Sequence, residues 1–175
     1  MRWRSGCLAL LSAAMATTAL YHPRNALATK AEGYKSSLLA LGRFDEFGVS
    51  EPAASGPRAQ GNQLIWLLLQ QKTGSSDVYV QSNVLAPGGS TGWHSHPGNS
   101  LIIVTAGTVT NYEDHDPACT PHVYKTGMAF VDPGGDHIHI LRNEGTVEAK
   151  TIAVQLIPAN AAQRIDVADP GNCRF

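Results

Sequence analysis

The sequence lacks an excess of charge of either sign. Thirteen Lys and Arg face 14 Asp and Glu, for a formal net charge of −1. That balance provides no strong field for a nucleic acid or an anionic membrane surface. No glycine-rich phosphate loop is evident, so phosphate cradling is not indicated. Cysteine is scarce, with three in the chain, and no internal repeat is visible. Apart from one N-terminal stretch, nothing reads as a long apolar run.

That stretch differs in kind from the rest. Met1 to Arg4 is a short basic region, Cys7 to Leu20 is apolar or small, and Ala26-Leu27-Ala28 sets small residues at the positions a signal peptidase reads. Residues 1–28 are therefore expected to be a secretory signal, removed before Thr29, with the mature protein periplasmic or secreted. A membrane anchor is the alternative, but the apolar run is short for a span and no stop-transfer pattern follows. Cleavage takes three of the 13 basic residues (Arg2, Arg4 and Arg24) and none of the 14 acids, leaving a net charge of −4. Cys7 leaves with the signal. Cys119 and Cys173 remain, an even pair in an oxidising compartment, so a disulfide is expected, with two free thiols as the alternative. A thiol nucleophile does not fit a pair of bridged cysteines.

Turn residues divide the remainder into short segments. Residues 29–41 are mixed and suggest a short helix or a loose arm, and Gly42 to Val49 reads as an edge strand. Glu51 to Gly61 is rich in Pro, Gly, Ala and Ser and reads as a loop. Gln63 to Gln71 is short and continuously apolar between glycines, which suits a buried strand. Asp77 to Leu85 alternates. Leu101 to Val104 and Val109 to Tyr112 flank Ala106-Gly107, a hairpin signal. Short strands follow at 123–125, 128–131, 137–141 and 147–157, and residues 159–175 read as a tail. Many short strands with almost no helix predict an all-β barrel or sandwich. The expected organisation is a signal over 1–28, an N-terminal arm and edge strand over 29–61, and a barrel with its tail over 62–175.

The chemistry concentrates in Gly88 to Gly107 and in Asp132 to Asn143. His94 and His96 are two apart, so on a strand they share a face and can converge on one ion. Two neutral imidazoles are half of a transition-metal site. The later segment runs from a tight turn into an apolar strand carrying His139.

Together these stretches resemble the paired motifs of the cupin superfamily. His94, His96 and Gly107 fall on the first motif. Gly127, Pro133, Gly135, His139 and Asn143 fall on the second, with one extra residue before the histidine. The resemblance covers residues 77–157 and implies a single small β-barrel, a double-stranded β-helix of the jelly-roll kind. It also implies a metal site at His94, His96 and His139. The departure is Ser100, which stands where the family usually places a glutamate ligand. Serine does not ionise near neutrality, so it is a hydrogen-bonding group rather than a ligand. On the sequence alone, Ser100→Glu should tighten metal binding by adding an anion.

Three imidazoles with open positions suit Fe, Zn, Ni or Cu and disfavour Ca or Mg. The alternative is a polar, metal-free pocket for a small molecule. His137, two before His139, would share its face on a regular strand, but the extra residue suggests a bulge that makes it a rim residue. Ser100 and His137 are thus secondary pocket candidates. His115 and His122 read as solvated loop histidines. Trp93 should point away from the ligands, Tyr79, Tyr112 and Trp66 read as core aromatics, and Asn143 should bond the turn after its strand. Two function classes remain. One is an exported module binding a metal ion or small molecule. The other is a metal-dependent oxygenase or isomerase acting on a small anionic substrate. No residue can be named as catalytic, because no general acid or base is evident in the pocket. The expected partners are a small molecule or metal ion, without nucleic acid or a membrane span after cleavage, and a homodimer stays open.

Overall fold

Strand pairing alone organises the computed structural model, which describes residues 27–53, 66–72 and 74–175. No helix occurs among the described residues. The strands are β1 (Glu32–Phe44), β2 (Phe47–Ala53), β3 (Trp66–Lys72), β4 (Ser76–Ser90), β5 (His94–Ser95), β6 (Ser100–Ala106), β7 (Thr108–Glu113), β8 (His122–Lys125), β9 (Ala129–Asp132), β10 (His139–Arg142), β11 (Ala149–Pro158) and β12 (Ile165–Asp166). Ten of them form one sheet along the path β12-β5-β10-β4-β11-β6-β9, with β1 added to β4 and β7 linking β10 to β8. The sheet curls into a nearly closed barrel. β2 and β3 form a separate antiparallel pair.

β4 is the strand that closes the barrel. It pairs with β1 along one edge and β11 along the other, and its end meets β10 through Ser90 and Arg142. Alternation then sets the two faces. On β6, Ser100, Ile102 and Val104 are buried or nearly so while Leu101 and Ile103 are exposed. One apolar cluster, Leu85, Val104, Val109, Leu141 and Ala149, fills one part of the interior. A second, Trp93, Tyr112, Ile140 and Cys173, lies under the C-terminal segment.

Several expectations change. Residues 32–44 are neither helix nor loose arm: β1 is a 13-residue strand held on β4 from Glu32 opposite Ser90 to Phe44 opposite Ser76. A free β4 edge decides this, and local propensity could not reveal it. The expected edge strand over 42–49 is divided between the end of β1 and the start of β2, and β2 extends to Ala53 into the expected loop. Gln63–Gln71 overlaps β3, whose side chains are outside the described residues, as are residues 1–26 of the expected signal over 1–28. Ala106-Gly107 does not close a hairpin, because β6 pairs with β11 and β9 while β7 pairs with β10 and β8. Gly107 turns the chain from one side of the barrel to the other. Its φ is +68°, and a Cβ there would lie 2.7 Å from the Glu148 carbonyl oxygen.

Both ends of the described chain are tied down. The Thr29 amide donates to the Val167 carbonyl at 2.8 Å, and the Thr29 hydroxyl accepts from the Trp93 amide at 2.6 Å. Cys119 and Cys173 are disulfide-bonded, with Cα atoms 5.2 Å apart. Phe175 packs on Tyr112 and lies under the Arg142 guanidinium at 3.9 Å.

The far end of β1 is locked by Asp77. Its buried carboxylate accepts from Arg43 Nε at 2.7 Å, Arg43 Nη2 at 2.8 Å and the Asn160 amide at 3.0 Å. The Arg43 hydrogen bonds, then the Asn160 amide, hold the carboxyl down to about 2. A depressed folded pKa contributes stability that is present above the ordinary carboxylate range, near 4, and is lost as pH falls through the folded value. Asp77→Asn should therefore melt below the wild type at pH 7, with the gap closing between about pH 4 and pH 2. Thermal melts followed by circular dichroism check this, and a gap independent of pH would contradict it.

Candidate metal centre

His94 lies on β5 directly opposite His139 on β10, and His96 follows just beyond β5. All three are buried, and they offer ring nitrogens that lie within 4.8 Å of one another. Ring centroids are 4.5 Å apart for His94 and His139, 4.9 Å for His94 and His96, and 5.8 Å for His96 and His139. The structure thus brings together the three residues singled out from the motifs.

Each imidazole has its Nδ1 against an oxygen. His94 Nδ1 lies 2.8 Å from the Gly92 carbonyl, His96 Nδ1 2.7 Å from the Gln163 carbonyl, and His139 Nδ1 3.0 Å from Asn111 Oδ1. Backbone carbonyls only accept, so Nδ1–H is the donor on His94 and His96, and the Gln155 side-chain amide, also 3.0 Å from His96 Nδ1, must then turn its oxygen to the ring; the Asn111 amide oxygen acts in the same way on His139. A neutral imidazole with its proton on Nδ1 keeps a lone pair on Nε2 for a ligand. Burial, the largest cause in every case, pushes all three below the usual histidine range, with His139 down to about 4. The rings are neutral near pH 7, as metal ligation requires.

The histidines face a cavity of about 200 Å³. Tyr34 and Ser36 of β1, Asn83 of β4, Gln155 of β11 and Arg164 line its remaining walls. The Tyr34 hydroxyl donates to Asn83 Oδ1 at 3.0 Å, and the Gln163 and Gln155 side-chain amides are hydrogen-bonded at 2.9 Å. Sequence reading missed these groups. The supposed tail contains β12, which pairs with β5 through Ile165 opposite Ser95, and this sets Gln163 and Arg164 at the site.

Ser100 faces the cavity, fully buried, and its Oγ has no hydrogen-bond partner. Opposite it across the β6–β9 pair is Asp132, whose side chain is also fully buried. Asp132 Oδ2 lies 3.8 Å from His96 Nε2 and 3.9 Å from His139 Nε2. Oδ1 accepts from the Gly134 amide at 2.9 Å. Asp132 Oδ2 and His139 Nε2, like Ser100 Oγ, are buried without a hydrogen bond. Three orphaned polar atoms at one spot fit a site made for a cation, because unpaired buried polar groups are costly.

His137 is not on the strand, which begins at His139. The extra residue of the second motif is absorbed in the turn before β10, rather than in a bulge within it. There His137 Nδ1 lies 3.3 Å from Asp132 Oδ1 and Nε2 3.5 Å from Glu113 Oε1. His137, Glu113 and the exposed His115 form a second group with ligand-type atoms within 4.8 Å, nearer the surface. His122 is exposed on β8. Trp93 is buried in the second apolar cluster, away from the cavity. Asn143 bonds the turn after β10, donating to the Leu85 and Val147 carbonyls at 2.9 and 2.8 Å and accepting from the Gly145 amide at 3.0 Å.

The Asn111 contact gives a direct test of the tautomer argument. Removing a partner that orients a metal-ligating histidine typically costs 10–100-fold in affinity. Asn111→Leu should weaken Zn²⁺ or Co²⁺ binding by about that factor, read by competition with a chelator, while Asn111→Asp should retain or strengthen it. Unchanged affinity in Asn111→Leu would contradict the role given to this bond.

Residues 83–155 match the family described as cupin domain. Solved structures with similar folds include an oxalate oxidase, 24% identical over 51% of this chain and 46% of that chain, with a TM-score of 0.44. A cupin-like protein from Thermotoga maritima is 24% identical over 53% and 65% of the two chains, with a TM-score of 0.44. A protein of unknown function from Streptococcus pyogenes is 21% identical over 52% and 70%, with a TM-score of 0.40. The chain thus spans less than half the length of the oxalate oxidase chain. No curated protein matches the sequence. The chain folds as an all-β, cupin-like barrel with a cupin domain match over residues 83–155.

Proposed function

We propose that the protein is an exported, single-domain cupin that holds one divalent transition metal ion on His94, His96 and His139. A small molecule would bind in the adjoining cavity. The observation that carries this reading is the set of three Nδ1–H···O contacts, which commits all three rings to present Nε2. Nitrogen donors of this kind suit Fe, Zn, Ni or Cu. A bound ion would supply Lewis acidity at its open positions. The chain's own contribution is to orient a ligand with the amides and hydroxyls of Asn83, Gln155, Ser36 and Tyr34.

Arg164 favours a second reading, a metal-dependent oxygenase or isomerase acting on a small anionic substrate. Its side chain lines the cavity, where it could meet a carboxylate. The other lining groups are mostly neutral hydrogen bonders, and this puts binding ahead of catalysis.

Single changes of His94, His96 or His139 to Ala should each abolish stoichiometric metal, because two imidazoles rarely hold a transition metal alone. His122→Ala and Ser100→Ala should leave it near one equivalent. Elemental analysis of protein purified without chelators and then dialysed against Zn²⁺ reads the outcome. Wild-type protein without bound metal would overturn the proposal.

Export is supported by the signal-like N-terminus and by the bridged Cys119 and Cys173, which suit an oxidising compartment. Cleavage before Thr29 would also leave the Thr29 nitrogen able to donate to Val167. Intact mass of protein recovered from producing cells should begin at Thr29 and show no free thiol. A full-length mass with two titratable thiols at Cys119 and Cys173 would contradict export.

A further inference from the structure

We infer that Asp132 is the anionic fourth ligand of the metal centre, delivered from β9 in place of a carboxylate at position 100. The inference rests on the three-histidine reading and deepens it. Two atoms bound to one ion at about 2.1 Å each lie roughly 3.0 to 4.2 Å apart, depending on the angle between them. Asp132 Oδ2 falls inside that range from both His96 Nε2 and His139 Nε2, at 3.8 and 3.9 Å, and it is these two rings rather than His94 that bring it to the cluster. Its other oxygen is already engaged by the Gly134 amide, and this fixes which oxygen turns towards the histidines.

Energetics points the same way. The carboxylate is fully buried; among the described residues its ion-pair neighbours are all histidines, His137 with Nδ1 3.3 Å from Oδ1 and the His96 and His139 rings, with no lysine or arginine beside it. A buried carboxylate with no lysine or arginine beside it is unfavourable, whereas a divalent ion would supply a full countercharge. Placement also explains the serine. Ser100 and Asp132 are register partners on adjacent strands. A short side chain at 100 leaves room for the carboxylate from 132, and a glutamate at 100 would set two anions side by side. With the carboxylate of Asp132 in place, Ser100→Glu alone should therefore not tighten binding.

Gly134 builds the turn that holds this arrangement. Its φ is +72°, and a Cβ there would lie 2.2 Å from the Gly98 carbonyl oxygen. The chain can thus fold back so that the Gly134 amide reaches Asp132 Oδ1.

Asp132→Asn tests the assignment, because it removes the charge while keeping an oxygen for the Gly134 amide. Partners outside the first coordination sphere are worth 10–100-fold, so losing a direct ligand should cost at least about 100-fold in Zn²⁺ or Co²⁺ affinity. Competition with a chelator reads this loss, and the visible spectrum of the Co²⁺ form should change. The metal-free Asp132→Asn chain should melt at or above the metal-free wild type, since a buried charge with no lysine or arginine beside it has gone. The double variant Ser100→Glu with Asp132→Asn should recover affinity relative to Asp132→Asn. Wild-type affinity and an unchanged Co²⁺ spectrum in Asp132→Asn would overturn the inference while leaving the three-histidine reading intact. A lowered metal-free melting temperature with unchanged affinity would likewise assign Asp132 a structural role only. Failure of the wild type itself to bind either ion would instead remove the reading on which the inference rests.

Discussion

Everything at the candidate site depends on where three protons sit. A neutral imidazole has one N–H, and hydrogen bonding decides which nitrogen carries it. Here the acceptors come from separate parts of the chain: the Gly92 carbonyl in the turn before β5, Asn111 on β7 and the Gln163 carbonyl before β12. The barrel must close, and the C-terminal segment must return, before all three rings are committed. Burial then keeps them neutral. The site is a product of tertiary structure even though its histidines sit in two short motifs.

The C-terminal segment is accordingly a wall of the cavity. β12 pairs with β5, Gln163 engages His96, Arg164 lines the cavity, and Cys173 is covalently fixed to Cys119. That bond closes a loop of 54 residues, worth about 4 kcal/mol in the chain-entropy model before native strain is subtracted. The buried atoms Asp132 Oδ2, His139 Nε2 and Ser100 Oγ act in the opposite sense, since unsatisfied polar groups cost about 1–3 kcal/mol each and more when charged. A ligand that satisfies them would stabilise the native state by mass action. Occupancy and stability should therefore rise together.

The three histidines were legible in the sequence because local rules suffice for them: His94 and His96 stand two apart, and both motifs keep their order and spacing. The all-β class followed from the density of turns and short alternating segments. Whatever depends on strand register was not legible. Nothing local says that Ser100 stands opposite Asp132, so the carboxylate beside the histidines was invisible from position 100. Gln163 and Arg164 sit in a segment with tail-like composition, and only the β12–β5 pairing gives them a role. Ala106-Gly107 was misread for the same reason: a turn residue marks a change of direction without saying which strands it joins. β1 was missed because its conformation is set by the β4 edge.

On this reading the chain presents three neutral imidazoles with bare Nε2 atoms before any ion arrives. Long-range ¹H–¹⁵N correlation NMR of the metal-free protein at pH 7 tests it most directly, since the ¹⁵N shifts and coupling patterns separate the two neutral tautomers and the cation. His94, His96 and His139 should all be neutral with the proton on Nδ1. A charged ring, or any of the three with its proton on Nε2, would contradict it.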